Sequence, residues 1–144
     1  MFKRILLPTD GSDITAKAID TAIALARSVG AAIHTISVKE PFPYSAISEM
    51  QPTPPQEFFD AQERIANQRV QAVVEACRQA GVACEPVTVE ALHPWEAIIE
   101  HAARAQCDLL VMASHGRRGV TALLLGSETQ KVLTHSKVPV LIVR

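Results

Sequence analysis

Short apolar runs alternate along the chain with longer stretches in which apolar residues recur every three or four positions. Residues 3–8, KRILLP, form such a run, stopped by Pro8 and followed by the turn-forming TDGSD. From Asp13 the period becomes helical: Ile14, Ala18, Ala22, Ala26 and Val29 share a face, and Gly30 stands where a helix C-cap belongs. AAIHTISV, 31–38, predicts a second strand. Phe59, Ala66, Val70, Val73, Cys77 and Ala80 then make one face of a long helix that Gly81 ends. Residues 82–90 alternate weakly and predict a strand near a sheet edge, because Pro86 has no N–H to donate. Pro94 suits the first position of a helix over 93–106, with Trp95, Ile98, Ile99 and Ala102 inward. CDLLVMA, 107–113, is more apolar than the strands before it. A helix over 127–136 follows, with Ser127 as N-cap and Glu128 in its first turn, and VPVLIVR, 138–144, closes the chain as a strand.

Strands and helices therefore alternate, with no hairpin signal. Continuous apolar strands in that setting predict a parallel sheet covered by helices on both faces. The expected class is α/β, a three-layer Rossmann-like sandwich in a single domain, 1–144, with five parallel strands in the order 3-2-1-4-5. Residues 39–56 hold five prolines without a clear period and predict a long loop, the kind of segment that often covers a site. Its Phe42 and Tyr44 are candidates to cover a ligand or a partner surface, or to do neither.

Composition narrows the function. Over 144 residues, 48% are hydrophobic and 20% charged, a globular balance, and the net charge of −1 gives no reason to expect a nucleic-acid surface. No run approaches the roughly 18 apolar residues of a membrane span. The apolar run before Pro8 is too short for a signal peptide, so a cytoplasmic protein is expected. Cys77, Cys84 and Cys107 form no CxxC pair and read as buried structural thiols. His34, His93, His101 and His135 lack metal-ligand spacing, so no metal site is expected from them.

In the order 3-2-1-4-5, strands one and four are neighbours, and their following turns, PTDGSD and ASHGRRG, share the carboxyl edge of the sheet. A ligand crevice opens there, where the strand order reverses. Backbone N–H groups of a Gly-rich turn and of a helix N-terminus suit an anion, since they lack intrahelical partners. The stretch 113–127 reads A-x2-G-x9-G-S.

That spacing resembles the G-x2-G-x9-G-[S/T] nucleotide-binding signature of the universal stress protein family (UspA-like), and the opening ILLPTDGS and closing VPVLIV are similar to it as well. The resemblance spans essentially the whole chain. It implies an adenine nucleotide alpha hydrolase-like fold and an ATP-binding regulatory dimer of stress physiology, with slow or no hydrolysis and with Mg or Mn as a conceivable companion ion. On this resemblance Val38 offers backbone groups to the adenine. Pro8, Thr9 and Asp10 form the turn beside base and ribose, and Met112 packs under base or sugar. Ala113, Ser114 and His115 lead into Gly116, Arg117, Arg118 and Gly119, which wrap the phosphates, while Gly126, Ser127, Glu128 and Thr129 supply helix N-terminal donors and hydroxyls. The resemblance also implies a homodimer formed by strand 138–143, besides a protein partner that the sequence does not identify. This strand is expected at an uncovered sheet edge, with the contact around Val140 and Ile142.

Ala113 departs from the signature, which has glycine there. If the position needs only to be small, the change costs little; if it needs a positive φ, the loop is distorted. Plainer roles stand beside the others: Asp10 as a helix N-cap, His115 as a local hydrogen-bond partner, Arg117 and Arg118 as solvated charges, and Trp95 as helix packing. No G-x4-G-K-[S/T] loop is present, and TDGSD lacks the paired glycines of a pyrophosphatase loop. Two other functions therefore remain: a nucleotide-free dimeric interaction module, and a weak ATPase.

Overall fold

Alternation of the kind read above leaves each strand to pair with a parallel neighbour reached through a helix. In a computed structural model that describes residues 1–42, 55–116 and 124–144, five strands are joined in this way by four helices. Its order is β1 (Arg4–Pro8), α1 (Asp13–Val29), β2 (Ala32–Lys39), α2 (Gln56–Gln79), β3 (Cys84–Glu90), α3 (Pro94–Arg104), β4 (Leu109–Ala113), α4 (Ser127–His135) and β5 (Val140–Val143). The sheet order is β3-β2-β1-β4-β5, all parallel, as expected.

Side-chain alternation along the strands splits the core in two. Ile5, Leu7, Ile33 and Val111 face α1 and α2, meeting Ala18, Ala22, Val73 and Cys77. Leu6, Ile36, Leu110 and Met112 face α3 and α4, meeting Ile98, Ala102 and Val132. The helix facing β1 and β4 is lined by alanines, which let α1 lie close to the sheet. Gly30 ends α1 in the left-handed region at φ 73°, a conformation that a side chain resists.

Boundaries move inward from the sequence reading. β3 starts at Cys84, because Val82 turns back to donate from its amide to the Cys77 carbonyl at 2.9 Å. β5 starts at Val140, where pairing with Leu110 begins, and α3 stops at Arg104. The N-cap of α4 is Gly126, and Ser127 is its first helical residue, with no side-chain cap. Phe42 is buried against Phe58 and Phe59 of α2. Trp95 packs on the α3/α4 core and stacks on His135, with ring centroids 4.6 Å apart, in keeping with a packing role. Tyr44 lies outside the described residues. Among the described residues no helix is long and apolar enough to cross a membrane.

Candidate functional site

Because β1 and β4 pair directly, with Ile5 opposite Leu109 and Leu6 opposite Leu110, the turns that leave them meet at the carboxyl edge. β1 is held to β2 up to that edge, where the Thr9 amide donates to the Ile36 carbonyl at 2.9 Å. Asp10 then closes the turn: its Oδ1 accepts the Ser12 amide at 2.9 Å and the Thr15 hydroxyl at 2.8 Å. This is an Asx turn that prepares the entry into α1, so the helix-starting role of Asp10 is realised two residues ahead of the formal cap, Ser12. Gly11 takes φ 77°, and a Cβ there would lie 3.3 Å from Cγ of Arg69. Arg69, on α2, is a cation at this edge that the sequence did not single out. Its helical register is legible, but which turn it reaches depends on how α2 packs.

The second turn touches the first. Gly116 lies so close to Asp10 that a Cβ on it would fall 2.5 Å from Oδ2. Gly116 is outside the left-handed region, so here glycine serves space and not backbone freedom. Ser114 anchors this turn, donating its amide to Val143 at 2.8 Å and accepting the Gly126 amide at 2.7 Å. Its hydroxyl meets His115 Nδ1 at 3.1 Å, the local contact considered for His115. Ala113 is an ordinary strand residue without positive φ, buried against the α1 side of the core. The reading that requires a positive φ at this position therefore does not apply.

At the start of α4 the peptide N–H groups of Ser127, Glu128 and Thr129 have no intrahelical acceptor, and the helix dipole adds positive potential there. The side chains are engaged differently. The Thr129 hydroxyl donates to the Ala113 carbonyl at 3.1 Å in a buried position, tying α4 to β4. A Glu128 carboxylate oxygen accepts the Trp95 amide at 2.9 Å, satisfying a donor at the N-terminus of α3. Glu128 thus spends its carboxylate between two helices. Gly126 is tight as well, since a Cβ would lie 3.1 Å from the His115 Cα.

Pro8, Val38 and Met112 fall on the α3/α4 side of the sheet by strand alternation. Met112 is buried in that core, whereas Pro8 and Val38 are half-buried at the strand ends. Beside Val38, Lys39 forms an ion pair with Glu63, whose other oxygen accepts from Thr88 at 3.2 Å and Asn67 at 3.1 Å. The Lys39 bond, reinforced by those donors, holds the Glu63 carboxyl below its ordinary range. Arg117, Arg118 and Gly119 lie outside the described residues. No group of three or more metal-ligating side chains occurs among the described ones.

The family model of the universal stress protein family matches residues 1–144. A universal stress protein of Thermus aquaticus is 36% identical over the full length of both chains. Among solved structures, MJ0577 of Methanocaldococcus jannaschii superposes with a TM-score of 0.84 at 25% identity, covering 99% of this chain and 96% of that one. A universal stress protein solved in complex with cAMP superposes with a TM-score of 0.72 at 25% identity, covering 99% and 97%.

Proposed function

This chain belongs to the universal stress protein family, and we propose that it is an adenine-nucleotide-binding regulator of that family, with ATP as its ligand. The observation that carries the reading is the meeting of two turns, through Gly116 and Asp10, at the reversal of strand order beside the N-terminus of α4. The cAMP complex of a structural neighbour supports an adenine nucleotide in this fold.

The residues fit the ligand's chemistry. Amides of Ser127, Glu128 and Thr129 meet the phosphates beside Gly116, with Arg69 adding charge at the same edge, and the signature assigns Arg117, Arg118 and Gly119 to the same phosphates. Pro8 and Val38 offer half-buried apolar surface to the base, and Asp10 lies beside the ribose, where its second oxygen accepts a hydroxyl or orders an Mg2+- or Mn2+-bound water. Hydrolysis is slow or absent: Asp10, the acid of the two turns, already accepts two hydrogen bonds on Oδ1, which disfavours it as a base. The protein acts in the cytoplasm as a homodimer paired through the edge of β5, and regulates a protein partner.

A second reading has its own observation. Thr129, Glu128, Ser114 and the Gly126 amide all have protein partners, which gives these residues a structural role of their own. That suits a nucleotide-free dimeric module.

Small molecules released from freshly purified protein distinguish the two. An adenine ultraviolet spectrum with a nucleotide mass supports the first reading, as does calorimetric binding of ATP. No nucleotide and no ATP heat supports the second. Gly126→Val should weaken ATP binding at least tenfold, or about 1.4 kcal/mol, and unchanged affinity in a folded variant would reject the phosphate placement.

A further inference from the structure

The side of the sheet under α3 carries two polar residues where strand and helix periods call for apolar ones. On β2, Ile36 and Val38 face the α3/α4 core, and alternation sends His34 to the same side, where its side chain is only 13% exposed. On α3, His101 lies beside Ile98 and Ala102, which are buried in that core. The two rings stand 6.4 Å apart, centroid to centroid. Buried polar side chains need partners, yet His101 Nδ1 is buried without one among the described residues. His34 has a loose partner: its Nδ1 lies 3.6 Å from a carboxylate oxygen of Glu85, its register neighbour on β3, and the Glu85 side chain is 81% exposed.

Both rings line a cavity of about 320 Å3 at the amino edge of the sheet, together with Arg4 of β1, Glu85 and Val87 of β3, and Arg104, the last residue of α3. Arg4 is held in place. Its Nη1 donates to the Ala105 carbonyl at 3.2 Å and to Gln106 Oε1 at 3.1 Å, which fixes the guanidinium and leaves its Nε and Nη2 donors outside those bonds.

We propose that this cavity is a second ligand site, taking a small tetrahedral oxyanion (free phosphate or the phosphoryl group of a small metabolite) on Arg4, Arg104 and the two imidazoles. The charge balance favours an anion, since two guanidinium groups share the cavity with one carboxylate. Burial, His34 and Arg104 hold the His101 ring below its ordinary value against the pull of Glu85, so a further positive charge is resisted here. A buried Nδ1 without an acceptor is least costly as a bare lone pair, which puts the proton of the neutral His101 ring on Nε2, as a donor. Donors come from the sheet on one side and from α3 on the other, which suits several acceptor oxygens better than the two of a planar carboxylate. Glu85 is the internal stand-in: its carboxylate rests against His34 as a ligand oxygen would, and an exposed ion pair is given up at little cost. A metal ion is disfavoured, because no three metal-ligating side chains group together among the described residues and two guanidinium groups oppose a cation. The site is separate from the nucleotide turns, as Val38 lies about 13 Å further along β2 than His34.

The test follows the ring resonances of His34 and His101 by NMR in the full chain, at fixed pH and ionic strength, with His34→Gln and His101→Gln for assignment. Inorganic phosphate and glycerol phosphate are titrated separately, and acetate serves as the planar control. Both rings should shift saturably, the tighter of the two phosphates telling free anion from phosphoryl group. Arg104→Gln, at an exposed position, should weaken binding by about fivefold or more. Glu85→Gln removes the competing carboxylate and should tighten binding by about threefold. Gly126→Val, at the nucleotide turns, should leave the affinity as it was. A shift that never saturates would mean an adventitious ion only. That result, acetate binding as tightly as phosphate, unchanged affinity in Arg104→Gln, or loss of binding in Gly126→Val would overturn the assignment.

Discussion

Replacing Gly116 by alanine tests whether the two turns are one unit. The added Cβ would fall 2.5 Å from Asp10 Oδ2, about 0.9 Å inside the 3.4 Å of ordinary contact. Backbone strain is absent from the argument, because Gly116 is not left-handed. One of the turns must move. If Asp10 yields, its Oδ1 bonds to Ser12 and Thr15, now 2.9 and 2.8 Å, lengthen beyond useful range. Hydrogen bonds to a charged group contribute about 1.5–3 kcal/mol when buried, and Asp10 is half-buried, so a loss of about 1–2 kcal/mol is expected. Urea unfolding of four proteins measures it: the unmodified chain, Gly116→Ala, Asp10→Ala and the double variant. Without the carboxylate the added methyl meets no other described atom within contact distance, and Gly116→Ala should then be neutral or stabilising by about 0.4–1 kcal/mol. The cycle should give a coupling of about 1–2 kcal/mol. Additivity within about 0.3–0.5 kcal/mol would show that the turns do not meet as described.

Ala113→Gly should leave ATP affinity within about threefold, roughly 0.7 kcal/mol, since the position is regular strand; a large calorimetric gain would mean that the β-carbon obstructs the ligand. On β5, Val140 and Ile142 pack into their own α3/α4 core while Leu141 is the exposed apolar residue. Leu141→Asp should therefore give a folded monomer by light scattering, and Val140→Asp with Ile142→Lys monomeric or insoluble protein. A monomer mass for the unmodified, nucleotide-free protein at micromolar concentration would end the dimer proposal. The Lys39–Glu63 pair sets a pH dependence: a lowered carboxyl contributes stability above its ordinary value of 4.5, and that contribution is lost as pH falls through the lower folded value. Lys39→Met should accordingly destabilise above the ordinary carboxyl value and cease to matter once pH has fallen below the lowered folded value, and a gap independent of pH would refute the assignment.

Periodicity alone determined much of this protein. The 3.6-residue face of Ala18, Ala22 and Ala26, the unbroken apolar run of β4, and glycines at 30 and 81 are local signals. Each reports on burial or backbone sterics within a few residues, so the elements and their parallel arrangement were readable before any contact was known. The A-x2-G-x9-G-S spacing marked the carboxyl edge for the same reason, as its glycines adjoin a strand end and a helix start. Tertiary structure decided what each side chain does there. Glu128 caps α3 through Trp95, Thr129 is spent on the Ala113 carbonyl, and Gly116 is small because Asp10 is close. Arg69 reaches the first turn because α2 packs beside it, and Glu63 of the same helix reaches Lys39 and Thr88 on two strands. Such pairings join residues through the packing of rigid elements, and no local period encodes which side chains that packing brings together.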